Sequence, residues 1–341
     1  MSRAPIRCAI LLAVTLVAAP ALAQPVNQTA TDPIAIEVHA REISTFDTRD
    51  RARTRFGSLE FRSGVVLTSP YRGFGGLSGF RFLDPAGEKF VALSDKGDWM
   101  TGRLVYRGKQ VTGLADVQMA PMLGPDREPI TTRKWFDTES LAVDGGTAYV
   151  GIERVNQILK FDFGREGVRA PGEPLTLPAA AQKLPFNKGI EALALVPKPH
   201  KLAGALIAIS ERGLDSSGNI MGFLIGGPSP GQFSVKRTLD YDISDAVLLP
   251  RGDLLILERK FSLLTGVRIR IRRIAMASIA PGRVLDGPEI FEADLGNEVD
   301  NMEAIDVHQT ADGQTVLTML SDDNFSVVQR NILLQFTLVD P

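Results

Sequence analysis

The stretch DNMEAIDV (residues 300–307), followed by TMLSDDN (residues 318–324), contains a pattern that the rest of the chain repeats. An acidic residue begins one short apolar run, and a second apolar run ends in another acidic residue. Apolar runs of this length, bounded by turn residues, are typical of buried β-strands. Each copy of the pattern therefore predicts two adjacent strands. Further copies are TESLAV (138–143) with AYVGIER (148–154), IEALAL (190–195) with LIAISER (206–212), and the weaker SDAVLL (244–249) with LLILER (254–259) and LSGFRF (77–82) with FVALSDK (90–96).

The copies recur at a regular spacing. If Ser78, Glu139, Glu191, Asp245 and Glu303 are equivalent positions, neighbouring copies lie roughly 50 to 60 residues apart. A period near 50 with several short strands in each copy is typical of β-propellers and too long for helical solenoids. We therefore predict an all-β propeller with five blades. The extra strands that precede the first copy leave six blades as an alternative.

A propeller needs a closed ring, because an open sheet edge invites pairing with other chains. The chain ends in the apolar run NILLQFTL, residues 331–338. We predict that a strand from residues 56–68 joins the last blade beside this run, so that strands from the two ends of the chain pair.

The N-terminus has the pattern of a secretory signal peptide. Arg3 and Arg7 precede an uncharged stretch at residues 8–19, and Ala21-Leu22-Ala23 provides a small-x-small cleavage site. The apolar stretch is too short to span a bilayer. We predict cleavage after Ala23, a disordered linker at residues 24–33, a single propeller domain at residues 34–341, and a periplasmic or secreted protein with no membrane span after cleavage.

Composition excludes several classes of function. Cys8 is the only cysteine and lies inside the predicted signal, so the mature chain has no thiol for a disulfide, a nucleophile or a zinc site. The net charge is −2 and the pI about 6.0, which gives no global field to hold nucleic acid. The chain also lacks a phosphate-cradling loop and a dinucleotide fingerprint.

The repeats predict a ring of carboxylates. In a propeller, equivalent positions of successive blades surround one axis, and an antiparallel hairpin brings the start of one strand beside the end of the next. So many like charges at one mouth need bound cations, cationic side chains or raised pKa values. The carboxylates predicted to converge are Glu139, Glu191, Asp245 and Glu303 at strand starts, and Asp95, Glu153, Glu211, Glu258 and Asp322 at strand ends.

This mouth is a candidate metal site. Carboxylate oxygens are the ligands that Ca²⁺ and Mg²⁺ prefer, and we expect Ca²⁺ rather than Mg²⁺. In four copies a cation follows the second acidic residue, whereas Asp323 follows Asp322 in the fifth. The fifth copy is therefore our first choice for a metal. An open alternative is that each acidic–basic pair is an ion pair that caps its blade. The candidate metal ligands are Glu303, Asp322, Asp323, Asn324, Glu191, Glu139 and Asp95.

Four motifs resemble those of a family of exported bacterial proteins described as "esterase-like activity of phytase". They are TESLA (138–142), GIEAL (189–193), NMEAI (301–305) and SDDN (321–324), and the resemblance extends from about Phe56 to Leu338. It implies a β-propeller that hydrolyses a small-molecule phosphoester or other ester, with the repeated carboxylates as active groups. The chain departs from the pattern at Ser78, where a carboxylate would be expected, and at Asp245, which is displaced within its motif.

In such a hydrolase a metal would bind the phosphoryl oxygens and activate water, arginines would balance the developing charge, and Glu211 is a candidate general base. Alanine at both Glu303 and Asp322 would then abolish metal-dependent hydrolysis. The alternative is a non-catalytic propeller that binds a small ligand, a metal or an envelope partner through the same mouth. The candidate catalytic residues are Glu139, Glu191, Glu211, Glu303, Arg154, Arg212 and Arg259.

One further motif stands apart from the repeats. VRIRIRR, residues 267–273, alternates apolar residues with arginine. The pattern predicts an outer blade strand with a solvated basic face. Contact with an anion is the alternative.

Overall fold

The computed structural model describes residues 31–339, which form five sheets arranged as a five-blade β-propeller, and all of their strand pairings are antiparallel except one. The all-β fold and the count of five blades are confirmed. The predicted signal peptide and residues 24–30 of the predicted linker lie outside the described residues. Within residues 31–339, no helix is long and apolar enough to cross a membrane.

The N-terminal strands are divided between two blades. They are β1 (Ile34–Ala35), β2 (His39–Ile43), β3 (Arg55–Phe56) and β4 (Leu59–Thr68). The first of them pairs with the outermost strand of the first blade, whereas β2 and β4 belong to the sheet of the last blade. The chain therefore enters the ring by linking the two blades where the ring closes.

Each blade begins with a hairpin of two buried strands and continues outward. The first blade has β5 (Leu77–Phe82), β6 (Lys89–Ser94), β7 (Asp98–Arg107) and β8 (Gln110–Pro121), and the second has β9 (Thr138–Asp144), β10 (Thr147–Ile152), β11 (Gln157–Phe161) and β12 (Glu173–Pro174). The third has β13 (Ile190–Leu195), β14 (Leu206–Leu214), β15 (Ile220–Ile225) and β16 (Gly231–Val235). The fourth has β17 (Asp242–Leu248), β18 (Leu254–Ser262), β19 (Gly266–Ile274) and β21 (Glu289–Asp294). The short strand β20 (Val284–Leu285) lies in the connection between β19 and β21 and pairs with β16 of the third blade. The fifth has β22 (Asn301–Gln309), β23 (Thr315–Asp322) and β24 (Asn331–Leu338).

Helical segments are short and lie in the connections. Two α-helical turns, α1 (Phe163–Glu166) and α2 (Ala179–Gln182), follow β11 and β12. The 3-10 turns are Ile130–Arg133, Glu153–Val155, Gly167–Arg169 and Met276–Ser278.

The predicted ring closure is confirmed. β24 pairs antiparallel with β4 from Asn331 opposite Leu67 to Leu338 opposite Leu59. Behind this pair, Phe46 packs edge-on against Phe56 and Phe336, with ring centroids 4.8 and 5.0 Å apart. Aromatic pairs of this geometry add to the burial of apolar surface, so the closing sheet is anchored in a continuous core with the fourth blade.

The arginine-rich motif forms β19, but its basic face is not solvated. Arg270 and Arg272 are each 3% exposed, and both bind the carboxylate of Glu258, whose residue is fully buried. The Nε atoms of the two arginines lie 2.8 and 2.7 Å from Glu258 Oε2. The prediction of a solvated face is therefore wrong for these two residues. Side chains of a strand alternate between its two faces, so Arg270 and Arg272 lie on the same face, and there they contact the acidic Glu258 of the neighbouring strand β18.

Candidate functional site

Every blade has a β-bulge near the start of its innermost strand. The pairing between the two inner strands shifts by one residue there, so one residue of the first strand has no partner opposite it. A bulge bends the strand and redirects a side chain. The bulged residues are Ser78, Glu139, Glu191, Ser244 and Glu303, and they form the first ring of equivalent positions.

A second ring stands at the end of the second strand of each blade. In the second blade, for example, the amide of Glu153 donates to the carbonyl of Asp137 at 2.8 Å, and in the third the amide of Glu211 donates to Gly189 at 2.8 Å. The five equivalent residues all line one cavity of about 160 Å³. They are Asp95, Glu153, Glu211, Arg259 and Asp322.

In the fourth blade, the residues that occupy the two rings each lie one position away from the residues predicted from the sequence. Ser244, rather than Asp245, occupies the bulge, and Arg259, rather than Glu258, stands opposite Asp242 and lines the cavity. The prediction that Asp245 and Glu258 reach this mouth is therefore wrong. Asp245 pairs instead with Arg81 inside the channel. An alignment on the acidic residues of each copy could not reveal this displacement, because the fourth copy has its carboxylates one residue away from the bulge and from the cavity position.

Eight carboxylates of the described chain border the cavity, and we call this group, with Arg259, Asn187 and Asn324, the acidic mouth. The eight are Asp95, Asp137, Glu139, Glu153, Glu191, Glu211, Glu303 and Asp322. Arg259 lies inside the ring, with its Nη2 atom 3.2 Å from Glu303 Oε1 and 3.6 Å from Glu211 Oε1. At the edge, Lys188 Nζ lies 2.6 Å from Glu211 Oε2. Arg154 pairs with Asp137 at the rim, so three cations compensate the eight carboxylates only in part.

The pKa values of the acidic mouth reflect this excess. Burial, followed by repulsion from neighbouring carboxylates, raises the pKa values of Glu139 and Glu191 well above their ordinary range. Burial likewise raises the pKa of Asp95 to about 7. The pKa of Glu303 is raised to about 7 by burial, although Arg259 opposes the shift. In the absence of a cation, part of the ring is therefore protonated near neutral pH.

These shifts predict a pH dependence of stability. A carboxylate whose pKa is raised on folding binds more protons in the folded state, so stability falls as the pH rises from the unfolded pKa to the folded one. We expect the thermal midpoint in EDTA to be lower at pH 8 than at pH 5, and Ca²⁺ to remove the difference. Buried His308, whose pKa is lowered to about 4, contributes with the opposite sign.

A double variant distinguishes the pH dependence caused by the ring carboxylates from that caused by other titrating groups. Glu139→Gln with Glu303→Gln removes two of the shifted carboxylates, so its midpoint in EDTA should vary less between pH 5 and pH 8 than that of the native protein. An equally steep decline in the variant would show that the dependence arises outside the ring.

Three buried carboxylates are close enough to share one ion. Glu153, Glu191 and Glu211, which we call the carboxylate triad, each offer an oxygen, and these oxygens all lie within 4.8 Å of one another. The backbone fixes Glu153, since its Oε1 accepts from the amide of Gly189 at 2.8 Å. An all-oxygen, acidic set of this kind fits a hard cation such as Ca²⁺.

The remaining candidate residues are distributed between the mouth and its rim. Asn324 lines the cavity, whereas Asp323 accepts hydrogen bonds from Gly76, Phe325 and Asn331 and thereby ties its loop to the first blade. Arg154 pairs with Asp137 at 2.8 Å, and Arg212 with Asp242 at 3.1 Å, both at the partly exposed rim.

Three residues of the site were not singled out from the sequence. Asp137 and Asn187 line the cavity, and Lys188 binds Glu211. Each lies in a connection just before an innermost strand. Asp137 could have been found, because it lies two residues before Glu139, but nothing in the repeat distinguishes Asn187 and Lys188 from ordinary loop residues.

Comparison with known families gives one match. The model of the phytase-like family described as "Esterase-like activity of phytase" matches residues 72–325. Comparison with curated proteins found no matching sequence.

Solved structures show distant similarity. The glutaminyl cyclase of Myxococcus xanthus matches with 12% identity and a TM-score of 0.42, over 89% of this chain and 97% of that one. A putative oxidoreductase (glucose dehydrogenase) of Thermus thermophilus matches with 14% identity and a TM-score of 0.33, over 87% and 100%. YCF48 bound to D1 peptide matches with 12% identity and a TM-score of 0.35, over 72% of this chain and 64% of that one, so the chain spans less than two thirds of its length. At these values the three structures carry no argument about activity.

Proposed function

The chain belongs to the phytase-like family described as esterase-like activity of phytase, and on that premise we propose that it hydrolyses phosphoesters or other esters at the acidic mouth. The observation that carries the proposal is the carboxylate triad, where three buried acidic side chains converge beside a half-buried arginine. Within the described residues, Glu211 pairs with Lys188 and Arg259, whereas Glu153 and Glu191 have no ion pair, and uncompensated carboxylates at this separation are costly. A divalent cation would remove that cost.

Glu153, Glu191 and Glu211 would hold the ion. A bound Ca²⁺ would supply polarisation of the ester or phosphoryl oxygen and a lowered pKa of water. Side chains of the mouth would balance the developing charge and transfer a proton. Arg259, held between Glu303 and Glu211, is placed to receive an anionic oxygen of the substrate and balance charge as the bond breaks. Glu139, partly exposed in the cavity with a raised pKa, is a candidate to hand a proton to the leaving oxygen.

The size of the mouth constrains the substrate. Its cavity of about 160 Å³ accommodates an ion and a phosphoryl or carboxyl group but is small for a whole organic ligand. A neighbouring pocket of about 560 Å³ shares Glu211 and Arg259 with it, and Arg212 and Lys260 contribute to its lining. The body of the substrate would lie there. The lining has a small excess of positive charge, which favours an anionic ester: its cations are Arg212, Arg237, Arg259 and Lys260, and its acids are Glu211, Asp240 and Asp242. The predicted signal peptide supports action outside the cytoplasm.

Turnover in a substrate screen tests this proposal. We expect the purified protein to hydrolyse aryl phosphate or aryl carboxylate esters with Ca²⁺ present and to lose at least a hundredfold of that rate in EDTA. The signal is release of the coloured phenol. Heat-denatured protein measures background hydrolysis. If no ester is turned over while Ca²⁺ still raises the thermal midpoint, the non-catalytic binding function replaces this one.

A further inference from the structure

A second and larger cavity lies at the other end of the central channel. It has a volume of about 710 Å³ and is bordered by Asp144, Leu195 and Leu248, the last residues of three innermost strands that begin at the end of the channel where the acidic mouth lies. We call it the basal cavity. Arg81 lies at its inner end, where both of its terminal nitrogens bind Asp245 at 2.8 Å. This ion pair, the central clamp, separates the basal cavity from the mouth.

The walls of the basal cavity are those of a small-molecule site. Its volume is within the range of about 300 to 1,000 Å³ that is usual for ligand pockets. Partly exposed apolar side chains line it, among them Val143, Leu195, Leu248 and Val307. Consecutive residues of three innermost strands border it, so backbone groups as well as side chains face a ligand.

The basal cavity has an acidic side chain at its inner end and cationic side chains at its entrance. Asp306 lines the cavity, is 7% exposed, and accepts a hydrogen bond from the amide of Phe82 through Oδ2 at 2.6 Å. Lys198, Lys201 and Arg251 line the entrance from two loops, and none of them has an ion pair within residues 31–339. Asp144 is the one acidic side chain of the described lining besides Asp306. The entrance is therefore cationic, in contrast to the acidic mouth.

We propose that the basal cavity binds a small amphipathic organic anion. Its apolar body lies against the ends of the innermost strands, its anionic group meets Lys198, Lys201 and Arg251, and a hydrogen-bond donor at its inner end is received by Asp306. The charges favour this orientation, because an anion placed at the inner end would meet the carboxylate of Asp306, while the guanidinium of Arg81 there is already bound to Asp245 and to backbone carbonyls. The site is independent of the hydrolysis proposed for the mouth.

The probe is 6-anilino-2-naphthalenesulfonate, in which the naphthalene ring separates the sulfonate from the amine N–H, so that the aromatic body, the anion and the donor match these three features. We expect the full-length protein to bind one equivalent with a rise in fluorescence. Lys198→Ala, Lys201→Ala and Arg251→Ala together should weaken binding at least tenfold, and Val307→Trp, which places a bulky ring in the wall, should abolish it. Calorimetric titration gives the stoichiometry and Kd, and circular dichroism verifies folding.

Three controls decide the outcome. Arg72→Ala, Lys160→Ala and Lys183→Ala together remove the same charge from exposed positions elsewhere and should leave Kd unchanged within twofold. Phe261→Ser with Leu263→Ser removes exposed apolar side chains of the β18–β19 hairpin and should also have no effect. Glu191→Gln should not change binding, because the central clamp separates the two ends. Equal binding by the entrance variant, or loss of binding in the hairpin variant, overturns the proposal.

Discussion

Replacing Glu191 and Glu211 together with glutamine is expected to abolish both the rise in thermal midpoint caused by Ca²⁺ and the calcium-dependent hydrolysis of esters. The change removes two of the three charges of the carboxylate triad. For the native protein, Ca²⁺ at a hundred times its Kd should add about 2.7 kcal/mol, or about 5 °C for a chain of this size. In EDTA the variant should melt at or above the native midpoint, because repulsion in the ring has been relieved. Thermal denaturation with Ca²⁺ and with EDTA, beside the hydrolysis assay, measures both effects.

Two comparisons make this expectation specific. Glu60→Gln with Glu173→Gln neutralises two exposed carboxylates outside the mouth and should preserve both the calcium shift and hydrolysis. Glu303→Ala with Asp322→Ala alters the corner that the sequence favoured for the metal. We expect this variant to retain the calcium shift but to hydrolyse poorly, because Glu303 positions Arg259 at 3.2 Å. Loss of the shift in this variant alone would place the ion at that corner.

The five blades could be predicted from the sequence because the innermost strands are buried on both faces. Such strands are continuous apolar runs, and five pairs of runs with acidic ends give a countable period. The closing strand could also be predicted, since β24 needed a partner and the apolar run at Leu59–Thr68 was the available one. The pairing of β1 with the first blade could not be predicted, because a strand of two residues has no pattern that assigns it to one blade or another.

The site could be predicted less completely than the fold. The repeat identified Glu139, Glu191, Glu211 and Glu303, which all line the mouth. In the fourth blade the alignment on acidic residues selected Asp245 and Glu258, whereas strand pairing places Ser244 at the bulge and Arg259 at the cavity. A bulge is a feature of pairing between strands, so a single strand's composition does not reveal it. That one-residue displacement places a cation inside the ring and two acidic residues in buried ion pairs.

Arg81→Ala is expected to destabilise the protein by about 3 to 5 kcal/mol, the usual cost of removing one partner of a buried ion pair. Arg81 is 6% exposed and Asp245 1% exposed. The guanidinium also donates to the carbonyls of Leu193 and Ile305, so it joins the first blade to the third and the fifth across the channel. The substitution leaves a buried carboxylate without a cation and three inner strands without their common donor. Urea denaturation measures the change in the free energy of unfolding.

Two further variants separate the charge of the central clamp from its packing. In Asp245, Oδ1 accepts from the amide of Ala246 and Oδ2 from that of Ile305. Asp245→Asn in the Arg81→Ala background retains an acceptor for one of these amides and removes the uncompensated charge, so it should recover part of the lost stability. The Arg81→Ala protein should also gain stability below neutral pH, because Asp245 can then be protonated. Arg72→Ala, at an exposed position, should change stability by no more than about 0.5 kcal/mol. If Arg81→Ala is equally mild, the clamp is not a structural joint, and the channel is held by its blade interfaces alone.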